Sequence, residues 1–366
     1  MKLSIGIVGL PNVGKSTLFK LLTKQNILIA NYPFATINPN VGIVPVPDER
    51  VDKLAELSKS KKKIPAVVEF YDIAGLVKGA STGEGLGNQF LSHIRETQAI
   101  VTVLRVFESS EIIHVENSVD PERDLAIINT ELVIKDLETV EKRIGSLEKE
   151  VRAGLSAKAS ATAGDKKALK NLEVLKSLKV ELLKDNLATK FADEEIVKEL
   201  QLLTAKKQLY LLNGDEEDVK NPLRGKIKSI GGDFIVMNLV EKNDIKERLP
   251  HIESETEVNL TEGQFSLSGI VGLIKKSYEI LDLISFLTTG EDETRAWTIK
   301  KGTKAPEAAG VIHTDFEHKF IRAEVVNWQK LLEAGSWAKA REKGLIRIEG
   351  KEYVVQDGDV LVIRHG

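Results

Sequence analysis

Near the start of the chain, Gly9 to Ser16 runs G-x-x-x-x-G-K-S, a spacing suited to holding phosphate groups. Glycines let backbone N–H groups turn inward around oxygen atoms, and a helix that follows adds its positive end. Lys15 is placed to reach the β- and γ-phosphates of a nucleotide, and the Ser16 hydroxyl to help hold Mg²⁺. A second metal-side group is expected at the end of a neighbouring strand, and PAVVEFYDIAG supplies it. Asp72 would hold the metal through water, and the Gly75 N–H, three residues on, would sense the γ-phosphate. Between these motifs lies NYPFATINPNVG, residues 31–42, where Thr36 is the best hydroxyl for closing over the metal. The chemistry that such a set of residues could do is transfer of a γ-phosphoryl group to water. Lys15, Thr36 and Gly75 face the phosphate, and Ser16, Thr36 and Asp72 organise the ion.

These residues need strands and helices to place them. LSIGIV reads as a buried first strand and STLFKLLT as the opening of a helix, the strand–loop–helix setting that gives the glycine pattern its meaning. Val67 to Ile73 reads as a strand, as do AIVTVLRVF and QLYLLN. The glycines between Gly79 and Gly87 suit a second mobile switch. A base pocket belongs after QLYLLN, where a guanine-selective site presents N-K-x-D. Here the stretch is Asn213, Gly214, Asp215 and Glu216. The longer carboxylate cannot sit where the aspartate would, and the lysine is a glycine, so the strong argument for guanine is missing.

Beyond Phe107 the chain runs into a long heptad pattern. Val133, Leu137, Val140, Ile144, Leu147 and Val151 recur at alternating spacings of four and three, a coiled-coil seam. A second helix follows with Leu172, Leu175, Leu178 and Leu182 on one side, which predicts an antiparallel hairpin over 122–200. Lysines 149, 158, 166, 167 and 170 cluster near its tip, where they could meet RNA phosphates. After a helix read at SYEILDLISFL, short strand candidates (AWTIK, FIRAEVV, LIRIE, YVV, VLVIR) and one short helix, NWQKLLEAG, predict a compact α+β unit with a mostly antiparallel sheet.

Composition is permissive. The 366 residues allow more than one domain, and 42% apolar with 29% charged residues describes a soluble globular protein. A net charge of -3 neither announces nor excludes nucleic acid, and zero cysteines rule out disulfides and thiolate metal sites. No run approaches the roughly 18 apolar residues that would suggest a membrane helix, and no cleavage pattern follows the N-terminus. The cytoplasm is the expected compartment.

GLPNVGKST, DIAGLVKGA, the NGDE departure and the stretch RAWTIKKGTKAPEAAGVIHTDFEHKFIRAEV resemble the Obg-like ATPase, or YchF, family along essentially the whole chain. The resemblance implies a P-loop GTPase-like α/β nucleotide domain (1–121 and 201–280). It also implies an inserted antiparallel helical arm (122–200) and a C-terminal α+β TGS domain (281–366). It implies an ATPase requiring Mg²⁺, with the ribosome or a ribosomal subunit as partner. Nucleic-acid contact would be through ribosomal RNA, with no membrane partner. Residue by residue, it places Asn12, Val13, Gly14, Lys15, Ser16 and Thr17 around the phosphates. Leu212, Asn213 and Glu216 would lie by the base, with Asn238 and Leu239 of VMNLVE on the last base-side loop. Leu76 follows the switch glycine and cannot orient water. His114 matches a loop histidine suggested for that task, with loop ordering as the alternative, and His93 is expected to be structural. Still open are a GTPase or dual-nucleotide protein, and a nucleotide-gated binding module with little turnover of its own.

Overall fold

The computed structural model describes residues 4–24, 41–72, 94–109, 112, 114–116, 118–157, 163–239 and 264–366. Strand β1 (Ser4–Val8) is buried at every position, as is β5 (Ala99–Arg105), and β6 (Lys207–Asn213) is buried at all but its first residue. Near-continuous apolar runs of this kind belong to parallel strands covered on both faces. With β2 (Val41–Pro45), β4 (Val67–Asp72) and β7 (Asp233–Val236) they form a six-stranded sheet in the order β2-β4-β1-β5-β6-β7. The pairs β1–β5, β5–β6 and β6–β7 run parallel. This is the P-loop GTPase-like α/β domain. Helix α1 (Lys15–Lys24) leaves the end of β1, and α2 (Glu49–Ser58) follows β2.

The heptad seam forms as its spacing demands. Helix α3 (Pro121–Ala157) and α4 (Ala163–Leu182) share a core of Val133, Val140, Leu147, Leu175, Leu178 and Leu182, flanked by Leu137, Ile144 and Leu172. Thr130 bonds Asp185, Glu141 pairs with Lys179 and Glu148 with Lys176, so the partner number falls as α3 advances and the helices are antiparallel. At the root of the hairpin, the fully buried Asp136 carboxylate accepts from Leu203 N, Thr204 N and the Thr204 hydroxyl at 2.6–2.8 Å. Burial still raises the Asp136 carboxyl above its usual range, against those hydrogen bonds. Of the expected tip lysines, Lys167 pairs with Glu195 of α5 (Glu195–Leu200) at 3.0 Å, and Lys158 lies outside the described residues. Helix α6 (Asn221–Ser229) connects β6 to β7.

The tail departs from the expected helix at SYEILDLISFL. Helix α7 (Gln264–Ile280) stops there, Asp282 takes a left-handed φ of 53°, and β8 (Leu283–Thr289) begins. A short apolar run does not by itself separate strand from helix, and pairing with β9 (Glu293–Lys300) decides it. The TGS-like sheet has the order β11-β10-β12-β8-β9-β3, with β10 (Phe320–Asn327), β11 (Arg347–Glu349), β12 (Asp359–His365) and β3 (Lys62–Ile64). Its core holds Phe286, Ile299, Phe320, Val325 and Leu361. Four short helices accompany it where sequence suggested one: α8 (Ala305–Ile312), α9 (Thr314–His318), α10 (Trp328–Ala334) and α11 (Trp337–Glu342). YVV contributes only an isolated bridge, Val354 to Lys304.

Among the described residues, one compact unit gathers 4–22, 41–42 and 70–269, and the other 23–24, 43–69 and 270–366. Residues 43–69 group with the C-terminal unit, where β3 pairs in parallel with β9, while β2 and β4 at the ends of that stretch belong to the six-stranded sheet. No helix among the described residues is long and apolar enough to cross a membrane.

Candidate functional site

The phosphate loop is defined by how closely it passes its neighbours. A Cβ on Gly9 would lie 2.6 Å from the Val103 carbonyl oxygen on β5 and 2.9 Å from a Val13 methyl. Gly14 has φ +106°, and a Cβ there would meet the Asn213 side-chain nitrogen at 2.5 Å. Asn12 is left-handed too, at φ 62°, and successive turns of this kind aim backbone N–H groups into one concavity. Helix α1 has no acidic residue of its own in its first turn, and a helix start favours anions.

Lys15 lies folded over this loop. It is 7% exposed, and its Nζ donates to the Leu10 carbonyl at 2.6 Å. Burial lowers its ammonium to about 8, with the Asp72 charge opposing. Asp72, at the end of β4, is raised above the usual carboxylate range by burial, against the Lys15 charge and a hydrogen bond from the Ser16 hydroxyl. The fold thus brings Lys15, Ser16 and Asp72 together from two strands' ends. One carboxylate and one hydroxyl are a sparse donor set, of the kind that suits Mg²⁺ retaining its waters and taking phosphate oxygens. Thr36, Gly75, Leu76 and His93 lie outside the described residues.

At the other end of the site, Asn213 finishes β6 and is 1% exposed. Its Nδ2 donates to the Val13 carbonyl at 2.8 Å, and its Oδ1 accepts from Leu239 N at 2.9 Å. This amide ties the phosphate loop to the loop after β7. Leu239 is buried against that tie, with a methyl carbon 3.1 Å from where a Gly14 Cβ would stand. Leu212 is wholly buried within β6. Glu216, expected by the base, turns outward to Arg224 at 2.6 Å, and Arg224 lies over the Phe234 ring. Asp215 and Asn238 bond each other at 3.1 and 3.2 Å. Both line an open cleft of about 990 Å³, together with Phe107, Asp120 and Leu223.

The loop after β5 is organised by a residue that sequence reasoning passed over. Arg105 is 1% exposed, its Nε donates to Phe107 O and its Nη1 to Ile112 O, and its guanidinium lies over the Phe107 ring. An arginine closing a strand of otherwise apolar and small residues was the available signal. His114, further along, is 4% exposed. Its Nδ1 accepts from Glu116 N at 3.1 Å, which puts the ring proton on Nε2, facing Asp124 Oδ2 at 2.8 Å. Both nitrogens are committed, and Asp124 belongs to the first turn of α3. As placed, the imidazole orders this loop and has no nitrogen left for a water.

Comparison with known proteins covers the chain from end to end. A family model described as "50S ribosome-binding GTPase" matches residues 4–140, and YchF-GTPase_C, described as a protein of unknown function, matches 283–366. The chain is 48% identical to the "Ribosome-binding ATPase YchF" of Bacillus subtilis, covering 100% of this chain and 99% of that one. It is 42% identical to "Obg-like ATPase 1" of Gallus gallus, over 99% and 92% of the two chains. The solved structure of the Schizosaccharomyces pombe YchF GTPase superposes with a TM-score of 0.82 at 40% identity, over 99% of this chain and 98% of that one.

Proposed function

The chain belongs to the YchF/Obg-like ATPase family, and from that premise we propose that it hydrolyses ATP, with Mg²⁺, as a switch that associates with the ribosome. GTPase-like nucleotide binding and hydrolysis come with family membership. The finer choice of ATP rests on the base end. Gly214 offers no lysine side chain, and Glu216 is held by Arg224 where a guanine-selecting carboxylate would be needed. The relatives in Bacillus subtilis and Gallus gallus, both named as ATPases, support the same choice.

The residues divide the work by chemistry. The N–H groups of the loop from Asn12 to Thr17 receive phosphate oxygens. Lys15 brings a positive charge whose desolvation is already met in the fold, so it acts on developing phosphate charge at low local dielectric. Triphosphate beside that ammonium raises its pKa again, so protonation and binding reinforce each other. Ser16 and Asp72 would hold Mg²⁺, which would supply neutralisation of phosphate charge. Thr36 and Gly75 are proposed to close on the γ-phosphate. His114 contributes to water activation only if it first releases Asp124 or the Glu116 N–H, so slow turnover of the isolated protein is expected.

Lys15, Ser16 and Asp72 gathered at one glycine loop are the observation that carries the reading. It is tested by titrating ATP and GTP under matched Mg²⁺, then sedimenting the tighter complex with ribosomal subunits. Tighter ATP binding, and co-pelleting that differs from the ADP form, are expected. A tenfold preference for GTP, about 1.4 kcal/mol, would replace the ATPase by the GTPase alternative. Pelleting indifferent to nucleotide would remove the switch.

A further inference from the structure

The stretch between the two proposed phosphate sensors is built into the C-terminal unit. Residues 43–69 group with residues 270–366, and the attachments are dense. Helix α2 buries Val51, Leu54 and Ala55. The Thr289 hydroxyl contacts the Leu54 carbonyl at 3.2 Å and the Ser58 hydroxyl at 2.8 Å. Ser60 donates to the Gly290 carbonyl at 2.6 Å and bonds Thr294, which is fully buried, at 2.7 Å. Lys61 N donates to Glu291 O, and β3 then runs in register with β9 from Lys62–Glu293 to Ile64–Arg295. At the other end of α2, Arg50 is bound to Asp48 at 2.8 Å and to Asp357 at 2.7 Å, while Asp357 also accepts from Ser285 N.

Strand β4 then carries the chain from this anchored stretch to the site. Its first residues, up to Glu69, group with the C-terminal unit, and from Phe70 to the metal-side Asp72 it groups with the nucleotide unit. A paired strand transmits an axial shift better than a loop does, because its length is fixed at about 3.3 Å per residue. In chain order the connecting piece is α2, β3 and β4, with residues 59–61 and 65–66 between these elements.

We propose that residues 43–69 are the coupling element of the switch: nucleotide state, sensed around Asp72, is passed along β4 to β3 and α2, and so to β8 and β9. The inference rests on the proposed switch but names a route that the nucleotide site alone does not imply. By linkage the effect is reciprocal, so loosening the anchor changes nucleotide affinity without touching the site.

Hydrogen exchange by mass spectrometry on the full chain tests this, with a non-hydrolysable ATP analogue, the corresponding GTP analogue, ADP and no nucleotide. Protection of amides in 9–18 reports binding itself. The coupling predicts at least a fivefold difference in exchange at 62–64 and 283–300 between triphosphate and ADP forms. In Ser60→Ala/Thr289→Val, which removes side-chain hydrogen bonds and keeps the apolar contacts of Leu54, that difference should shrink to under twofold while 9–18 remains protected. Protection of 9–18 with identical exchange at 62–64 and 283–300 in all states would overturn the coupling. Absence of protection at 9–18 with either analogue would instead overturn the nucleotide reading.

Discussion

At the phosphate end of the site a single added carbon has nowhere to go: Gly9 would collide with a strand carbonyl at 2.6 Å and Gly14 with the Asn213 amide at 2.5 Å. At the base end, the Glu216 side chain is 65% exposed and bound to a neighbouring arginine. The first region is fixed by sterics that only one residue type satisfies. The second is held by a surface ion pair, which places no comparable steric demand on the residue type. Phosphate chemistry is common to all nucleoside triphosphates, and a rigid cradle serves it. On the proposed function, base preference would rest on the second end, and a departure from N-K-x-D there would leave the phosphate loop intact.

Removing Lys15 tests the rigid end hardest. Lys15→Ala deletes the buried ammonium beside Asp72, and ATP turnover should fall at least about a hundredfold, in the range seen when one transition-state donor is lost, with the fold intact by circular dichroism. The same lysine makes affinity pH-dependent. The free protein's ammonium loses its proton above about 8, whereas the nucleotide complex needs the charged form. Nucleotide affinity should therefore fall as pH rises from about 7.5 to about 9.5, the range that brackets this titration, and in Lys15→Ala that slope should vanish. Unaltered turnover in the purified variant would place the activity elsewhere.

Asn213 joins the two ends, so its loss should be intermediate. Asn213→Ala leaves the Val13 carbonyl and the Leu239 N–H without partners in a buried zone, a cost of about 2–3 kcal/mol. ATP and GTP should weaken together by about tenfold, with a lowered melting temperature. A loss confined to one nucleotide would show that the amide reads the base after all.

Residues whose roles are set by local spacing are legible in the sequence itself. The glycine loop, the Asp72 strand end and the heptad seam each depend on neighbours within one element or two. Partners set by tertiary contact are not legible in that way. Nothing in KKI announces a three-residue strand that joins the sheet of the C-terminal unit, and LISFLTT fits a helix as well as a strand until β9 pairs with it. Asp136 reads as one more polar residue between seam positions, yet it holds the backbone at Leu203 and Thr204. His114 carries a catalytic expectation by family likeness, and its two hydrogen bonds follow from the fold around Glu116 and Asp124.

The smallest effect is expected where sequence comparison alone points most strongly. Restoring N-K-x-D begins with Gly214→Lys, but Gly214 has φ +153° and a Cβ would lie 2.5 Å from a Val106 methyl, so that exchange disturbs the β6 end whatever it does to the base. Glu216→Ala is the cleaner probe. Its carboxylate meets Arg224 at the surface, and exposed pairs of this kind contribute about 0–1 kcal/mol. The melting temperature should barely move, and affinities for ATP and GTP should each change by less than about threefold, measured by calorimetric titration beside Asn213→Ala. A tenfold loss of ATP with GTP unchanged would mean that Glu216 leaves Arg224 to contact adenine, and the base end would then be a specific reader.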